Sequence, residues 1–181
     1  MGKIIPLPEK RKLKAAFEGD FTGMLKDIAE IKRKTLETEE NGIFCPNVSF
    51  EDLFKAKLGS FIIDHKLMNA DLFRCSLYVA HVLNEGLTKN ISSFYITDYL
   101  IRGIEEDSPD TLKEGADLCC IISIFFEERH NWRMMHPGDY AKMGIQLYSI
   151  YYSMTHRLIS WCMSRNFENI TSITRKCVKE F

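Results

Sequence analysis

Hydrophobic positions recur at helical spacing along almost the whole chain. Phe21, Met24, Leu25, Ile28 and Ile31 follow the i, i+3, i+4, i+7 order, which predicts an amphipathic helix over about 21–39. Lys26–Glu30, Glu30–Lys34 and Arg33–Glu37 stand at i, i+4 on its outer faces, and Gly42 suits the residue just past its end. Ser49 then offers an N-cap, with Glu51 and Asp52 in the first turn, where negative charge suits the helix dipole. Phe50, Leu53, Phe54, Phe61, Ile62 and His65 line one side of that helix, which makes His65 a hydrogen-bonded core histidine. A second start at Asn69 with Asp71 leads into a face of Leu72, Cys75, Val79, Ala80 and Leu83, stopped by Gly86.

The two starts resemble each other. "DLFKAKL" at 52–58 and "DLFRCSL" at 71–77 agree at Asp, Leu, Phe, a basic residue and Leu. A helical-hairpin repeat would make a solenoid, but two copies fall short of the three or so that stacking needs. Convergence of two capped amphipathic starts is the simpler expectation.

From Thr88 to about Glu106 a further helix is expected, capped at Thr88 or Ser92, with Ile96, Leu100, Ile101 and Ile104 inward. Ser108-Pro109 opens the next: Ser supplies an oxygen to the unpaired N–H groups, and Pro at N1 loses no hydrogen bond. That helix, 109 to about 131, is apolar nearly all round between 118 and 126, the mark of a central element. Pro137 opens the last long helix. Tyr140, Gly144, Leu147, Tyr151, Met154, Leu158 and Trp161 alternate steps of four and three, a heptad seam. Ile145, Tyr148, Tyr152, Ile159 and Met163 form a second stripe that needs another contact, from this chain or from a second subunit. Residues 166–181 read as a short C-terminal helix or tail.

The pattern predicts an all-α fold: one domain over 1–181, a bundle of about six helices, mostly antiparallel because the connections are short. A short helix-pair solenoid is the alternative. Composition supports a single core, with 181 residues and 45% hydrophobic content. A net charge of −1 argues against nucleic acid as a partner and favours self-association mildly. Residues 1–20 form a basic arm or short helix, with Lys3, Lys10, Arg11, Lys12 and Lys14 against Glu9 in the first fourteen.

Six cysteines without a C-x-x-C spacing read as reduced core thiols of a cytoplasmic protein. "MGKIIPLPEKRK" lacks the apolar region of a secretory signal. The longest apolar stretch, 118–126, is far below the roughly 20 residues a membrane span requires.

Candidate chemistry concentrates in "EERHNWRMMHPGDY", 127–140. Glu127 and His130 stand at i, i+3, the Glu-x-x-His element of di-iron bundles. No other histidine has an acidic residue three before it, so the full di-iron pattern is absent. A transition metal held by Glu127, His130 and His156, with His136 as a further candidate, is the alternative to a protein without cofactor. No phosphate loop or nucleophile motif occurs. Arg129, Trp132, Arg133, Met134 and Met135 have the composition of interface hot spots, and Tyr152 lies on the second stripe of the long helix. The functional expectation is therefore a protein–protein interaction or assembly module, self-associating as a homo-oligomer. A helical-bundle enzyme or sensor using Glu127, His130 and His156 is the second expectation.

Overall fold

In a computed structural model of the chain, the described residues are 49–67, 69–86, 95–125 and 136–179. The predicted helix over 21–39, the basic arm and the stretch 126–135 lie outside them. Six helices stand among the described residues, and no strand: α1 (Phe50–Asp64), α2 (Ala70–Gly86), α3 (Ile96–Glu105), α4 (Pro109–Phe125), α5 (Pro137–Thr155) and α6 (Leu158–Lys179). None of them is long and apolar enough to cross a membrane.

The starts follow local cap chemistry. Ser49 Oγ accepts from Asp52 N–H at 3.1 Å, and Asn69 Oδ1 accepts from Asp71 N–H at 2.8 Å. Ser108 Oγ accepts from Thr111 N–H at 3.4 Å ahead of Pro109. His136 Nδ1 accepts from Gly138 N–H at 3.2 Å ahead of Pro137. Each satisfies a donor that the first helical turn leaves unpaired.

Two helices end on a Schellman closure without glycine. After α1, Lys66 takes a left-handed conformation (φ 55°); its N–H bonds Ile63 C=O and the N–H of Leu67 bonds Ile62 C=O. After α3, Asp107 (φ 48°) and Ser108 repeat the arrangement on Ile104 and Gly103. Both are Schellman closures, in which glycine is the usual left-handed residue. Replacing Lys66 by glycine relieves a left-handed cost of about 1–2 kcal/mol. Glycine's extra freedom in the unfolded chain, about 0.5–1 kcal/mol, offsets part of that gain. Lys66→Gly is therefore expected to raise unfolding stability by about 0.5–1 kcal/mol in a urea titration; a lower midpoint would contradict this account of the closure.

The helices form a bundle. α4 is central and packs against α2, α3, α5 and α6, while α1 lies on α2 and α6. Leu112, Ala116 and every residue from Leu118 to Ile124 are buried, as its all-round apolar sequence requires. The resemblance between the two starts does not extend to burial: Phe54 is buried where the equivalent Phe73 is exposed, and Ala56 is exposed where Cys75 is buried.

Three expectations are corrected. Ile101 and Ile104 do not face inward; they are 52% and 57% exposed. α3 instead buries Ile96, Tyr99 and Gly103, because a Cβ at Gly103 would stand 2.5 Å from the Leu112 side chain. That close approach fixes which side of α3 meets α4. His65 is exposed, not core: it closes α1 with its ring stacked on Phe61 at 4.0 Å and Nδ1 2.9 Å from the Phe61 carbonyl. The long helix from Pro137 does not run through residue 163. It breaks at His156 (φ 53°), and α6 then continues unbroken to Lys179, so 166–181 is no separate helix or tail.

Candidate interaction surface

The break creates a tight corner between α5 and α6. His156 N–H bonds Tyr152 C=O at 2.8 Å, and Thr155 Oγ1 donates back to Tyr151 C=O at 2.8 Å. Arg157 C=O accepts from Ser160 Oγ at 2.6 Å and from Ser160 N–H at 3.1 Å, which starts α6. The heptad seam leaves the core at Leu158, while Trp161 beyond it still packs partly against the core. Tyr140, Gly144, Leu147 and Tyr151 are buried, Met154 is half-buried, and Leu158 is 54% exposed.

Around the corner the side chains have a distinct character. The Tyr152 ring meets His156 edge-on at 5.8 Å between centroids. Leu158 follows two residues on. Trp161, one helical turn after Leu158 and half-buried, carries the Arg165 guanidinium over its ring at 5.0 Å. A tyrosine, a tryptophan stacked by arginine and an exposed leucine thus stand within ten residues of one another about the corner. Tyr, Trp and Arg are the residues most enriched where truncation weakens protein complexes. The cation–π contact also restrains Trp161, so less side-chain freedom is lost on binding. The second stripe is otherwise absorbed by the chain's own core, since Tyr148 and Met163 are buried.

Of the residues singled out from sequence, Tyr152 and His156 are brought together here. Glu127, Arg129, His130, Trp132, Arg133, Met134 and Met135 lie outside the described residues. His136 caps the start of α5 and His156 its end, about 28 Å apart along a helix of 19 residues. Among the described residues, no group of three His, Cys, Asp or Glu side chains is placed to hold a metal.

A second cluster was not legible in the sequence. Asp117 of α4 accepts from Tyr78 of α2 at 2.8 Å and from Tyr148 of α5 at 2.6 Å, both on Oδ1. Its Oδ2 accepts from Lys113 at 2.7 Å, and Lys113 Nζ also lies 5.6 Å from the Tyr78 ring centroid. Burial first, and the adjacent carboxylate second, push both tyrosine hydroxyls well above their ordinary pKa, so they stay protonated donors. One carboxylate therefore ties three helices together. Toward the far end of α6 from the corner, Arg175 donates to the Ser123 carbonyl at 2.5 Å and to the Ile124 carbonyl at 3.3 Å. These are among the last carbonyls of α4, and the arginine charge complements that end of the helix dipole.

The thiols are poorly placed for chemistry. Cys75, Cys119, Cys120, Cys162 and Cys177 are all buried, and no disulfide joins them. Burial pushes Cys75 up to about 12 and raises Cys119 and Cys120 well above the ordinary thiol value. Thiolate is the reacting form. In a Cys45→Ser background, iodoacetamide at pH 8 should therefore modify the native protein slowly and the urea-unfolded protein rapidly. Equal rates in the two states would contradict the burial described.

The fold defines the class, an all-α helical bundle. Comparison with known protein families, with curated proteins and with solved structures finds no match.

Proposed function

We propose that this protein is an interaction module that associates with a second copy of itself through the α5–α6 corner. The observation that carries the reading is Leu158, 54% exposed in a corner it shares with Tyr152, His156 and the Trp161–Arg165 pair. An exposed leucine alone is ordinary; one beside two aromatic rings and a stacked arginine has the make-up of a hot spot within a rim. A net charge of −1 leaves little repulsion between copies. Two-fold pairing is the simplest closed arrangement for such a face.

Leu158→Glu places a charge where a partner would cover it and touches little of the core. Light scattering of the unmodified protein should show a mass rising with concentration above the 21.0 kDa of one chain. Leu158→Glu should remain at one chain with its thermal midpoint unchanged. A monomer at every concentration would end the self-association reading.

A further inference from the structure

Charge is distributed unevenly about the α5–α6 corner. From Met143 to Phe167 the sequence has no Asp or Glu, while His156, Arg157 and Arg165 can each bear a positive charge. All three are exposed. Among the described residues, none of them makes an ion pair with a carboxylate. Lys55, Arg74, Lys113 and Lys142, elsewhere in the fold, each have a carboxylate partner.

The elements packed around the corner leave its charge unanswered. α2 meets α6 at Asp71, 3.5 Å from the Cys162 thiol, and Arg74 already holds that carboxylate at 2.9 Å. On α4, Asp117 is taken by Lys113 and two tyrosines, and Asp110 and Glu114 are exposed without an ion pair to the corner. Glu168, a turn past Arg165 on α6, makes no ion pair with it. α1 reaches α6 only toward its other end, where Lys57, Asp64 and His65 surround Cys177.

Two-fold pairing brings the same patch of both copies together. His156 and Arg157 directly precede Leu158, and Arg165 lies seven residues on, along the same side of α6. Covering Leu158 therefore brings the cations of one copy close to those of the other and removes water between them. The arginine charge is constant. Histidine, by contrast, gains its charge as the pH falls from about 8 to about 5.

We infer that His156 makes pairing at this corner acid-sensitive: a proton on its imidazole adds a third positive charge to each face, and the two copies separate. Such a release requires the self-association proposed for this corner. In the pair an added proton meets the cations of both copies; in the single chain it meets only its own. The proton is bound more weakly in the pair, so lowering the pH draws the equilibrium to single chains.

Sedimentation equilibrium of the full chain at about pH 8 and about pH 5.5 tests it. In about 0.1 M salt the dissociation constant should rise about tenfold between the two, and in about 1 M salt by less than about threefold, because the charges are screened. His156→Asn keeps a residue that tolerates the left-handed backbone (φ 53°) and cannot take the charge. Its dissociation constant should change less than about threefold over the same step, whatever its value at the higher pH. Where that variant pairs too weakly to measure, NMR titration of the His156 imidazole in dilute and concentrated unmodified protein decides. The midpoint should be lower in the concentrated sample; an unchanged midpoint overturns the release. Single chains at both pH values would remove the pairing itself, and the release with it. Equal pairing at both would leave the pairing standing and overturn the release, as would an undiminished acid response in His156→Asn.

Discussion

Asp117→Ala is expected to cost about 3–4 kcal/mol of unfolding stability. The substitution removes one acceptor from two hydroxyls at once, half-buried Tyr78 at 2.8 Å and buried Tyr148 at 2.6 Å. A buried donor left without a partner costs about 1–3 kcal/mol, and Tyr148 is fully covered. Lys113 adds little to the loss, because its side chain is 21% exposed and its ammonium can turn to water. The graded controls separate this account from a general sensitivity of α4. Tyr148→Phe removes a single hydrogen bond to a charged group and should cost about 1.5 kcal/mol. Asp117→Asn keeps an acceptor for both hydroxyls and should fall between the two. Urea unfolding of the three variants checks the order; a loss below about 1 kcal/mol for Asp117→Ala would mean that the carboxylate does not tie the helices.

Alanine at Gly144 and alanine at Gly59 should move stability in opposite directions, although both glycines lie inside helices. Helix propensity alone favours alanine by about 0.5–1 kcal/mol at each. At Gly144 a Cβ would stand 2.5 Å from Phe167 Cζ and 3.0 Å from Cys119 Cβ. Phe167 is buried on all sides, so its ring has nowhere to swing, and overpacking of this kind costs about 1–3 kcal/mol. The clash outweighs the propensity gain, and Gly144→Ala should destabilise by about 1–2 kcal/mol. At Gly59 the nearest atom is Phe73 Cε2 at 3.6 Å, an ordinary contact, so Gly59→Ala should stabilise by the full propensity term. Thermal melts of the pair read both signs. Stabilisation by Gly144→Ala would mean that α4, α5 and α6 approach less closely than described.

What the sequence made legible was local. Ser49, Asn69, Ser108-Pro109 and Pro137 announce helix starts because a cap acts within three residues of itself. The central place of α4 was readable from its lack of a polar face. The corner at His156 was not, because the heptad spacing runs through it and neither glycine nor proline marks it. A histidine takes the left-handed position there, and only the packing of α6 against α5 and α2 determines that the chain turns.

The face of α3 was misread for a similar reason. Two isoleucines outweigh a glycine in any hydrophobic pattern, yet Gly103 is the residue that lets α3 approach Leu112. Asp117 escaped notice because its tyrosine partners stand 39 and 31 residues away in the chain. Its one local signal was Lys113 at i−4. Of the interaction surface, Tyr152 was picked out by its stripe, whereas Leu158 was assigned to a seam that leaves the core at that residue.

The central claim, association through the α5–α6 corner, is read most directly by methyl NMR across a concentration series. Leu158, Met154 and Ile159 report on the corner; Ile63, Ile101 and Ile104 report on the other exposed apolar positions. The account predicts concentration-dependent shifts confined to the first three, and abolished by Tyr152→Glu. Shifts centred on Ile101 and Ile104, or on Ile63, or no shift at any concentration, would contradict it.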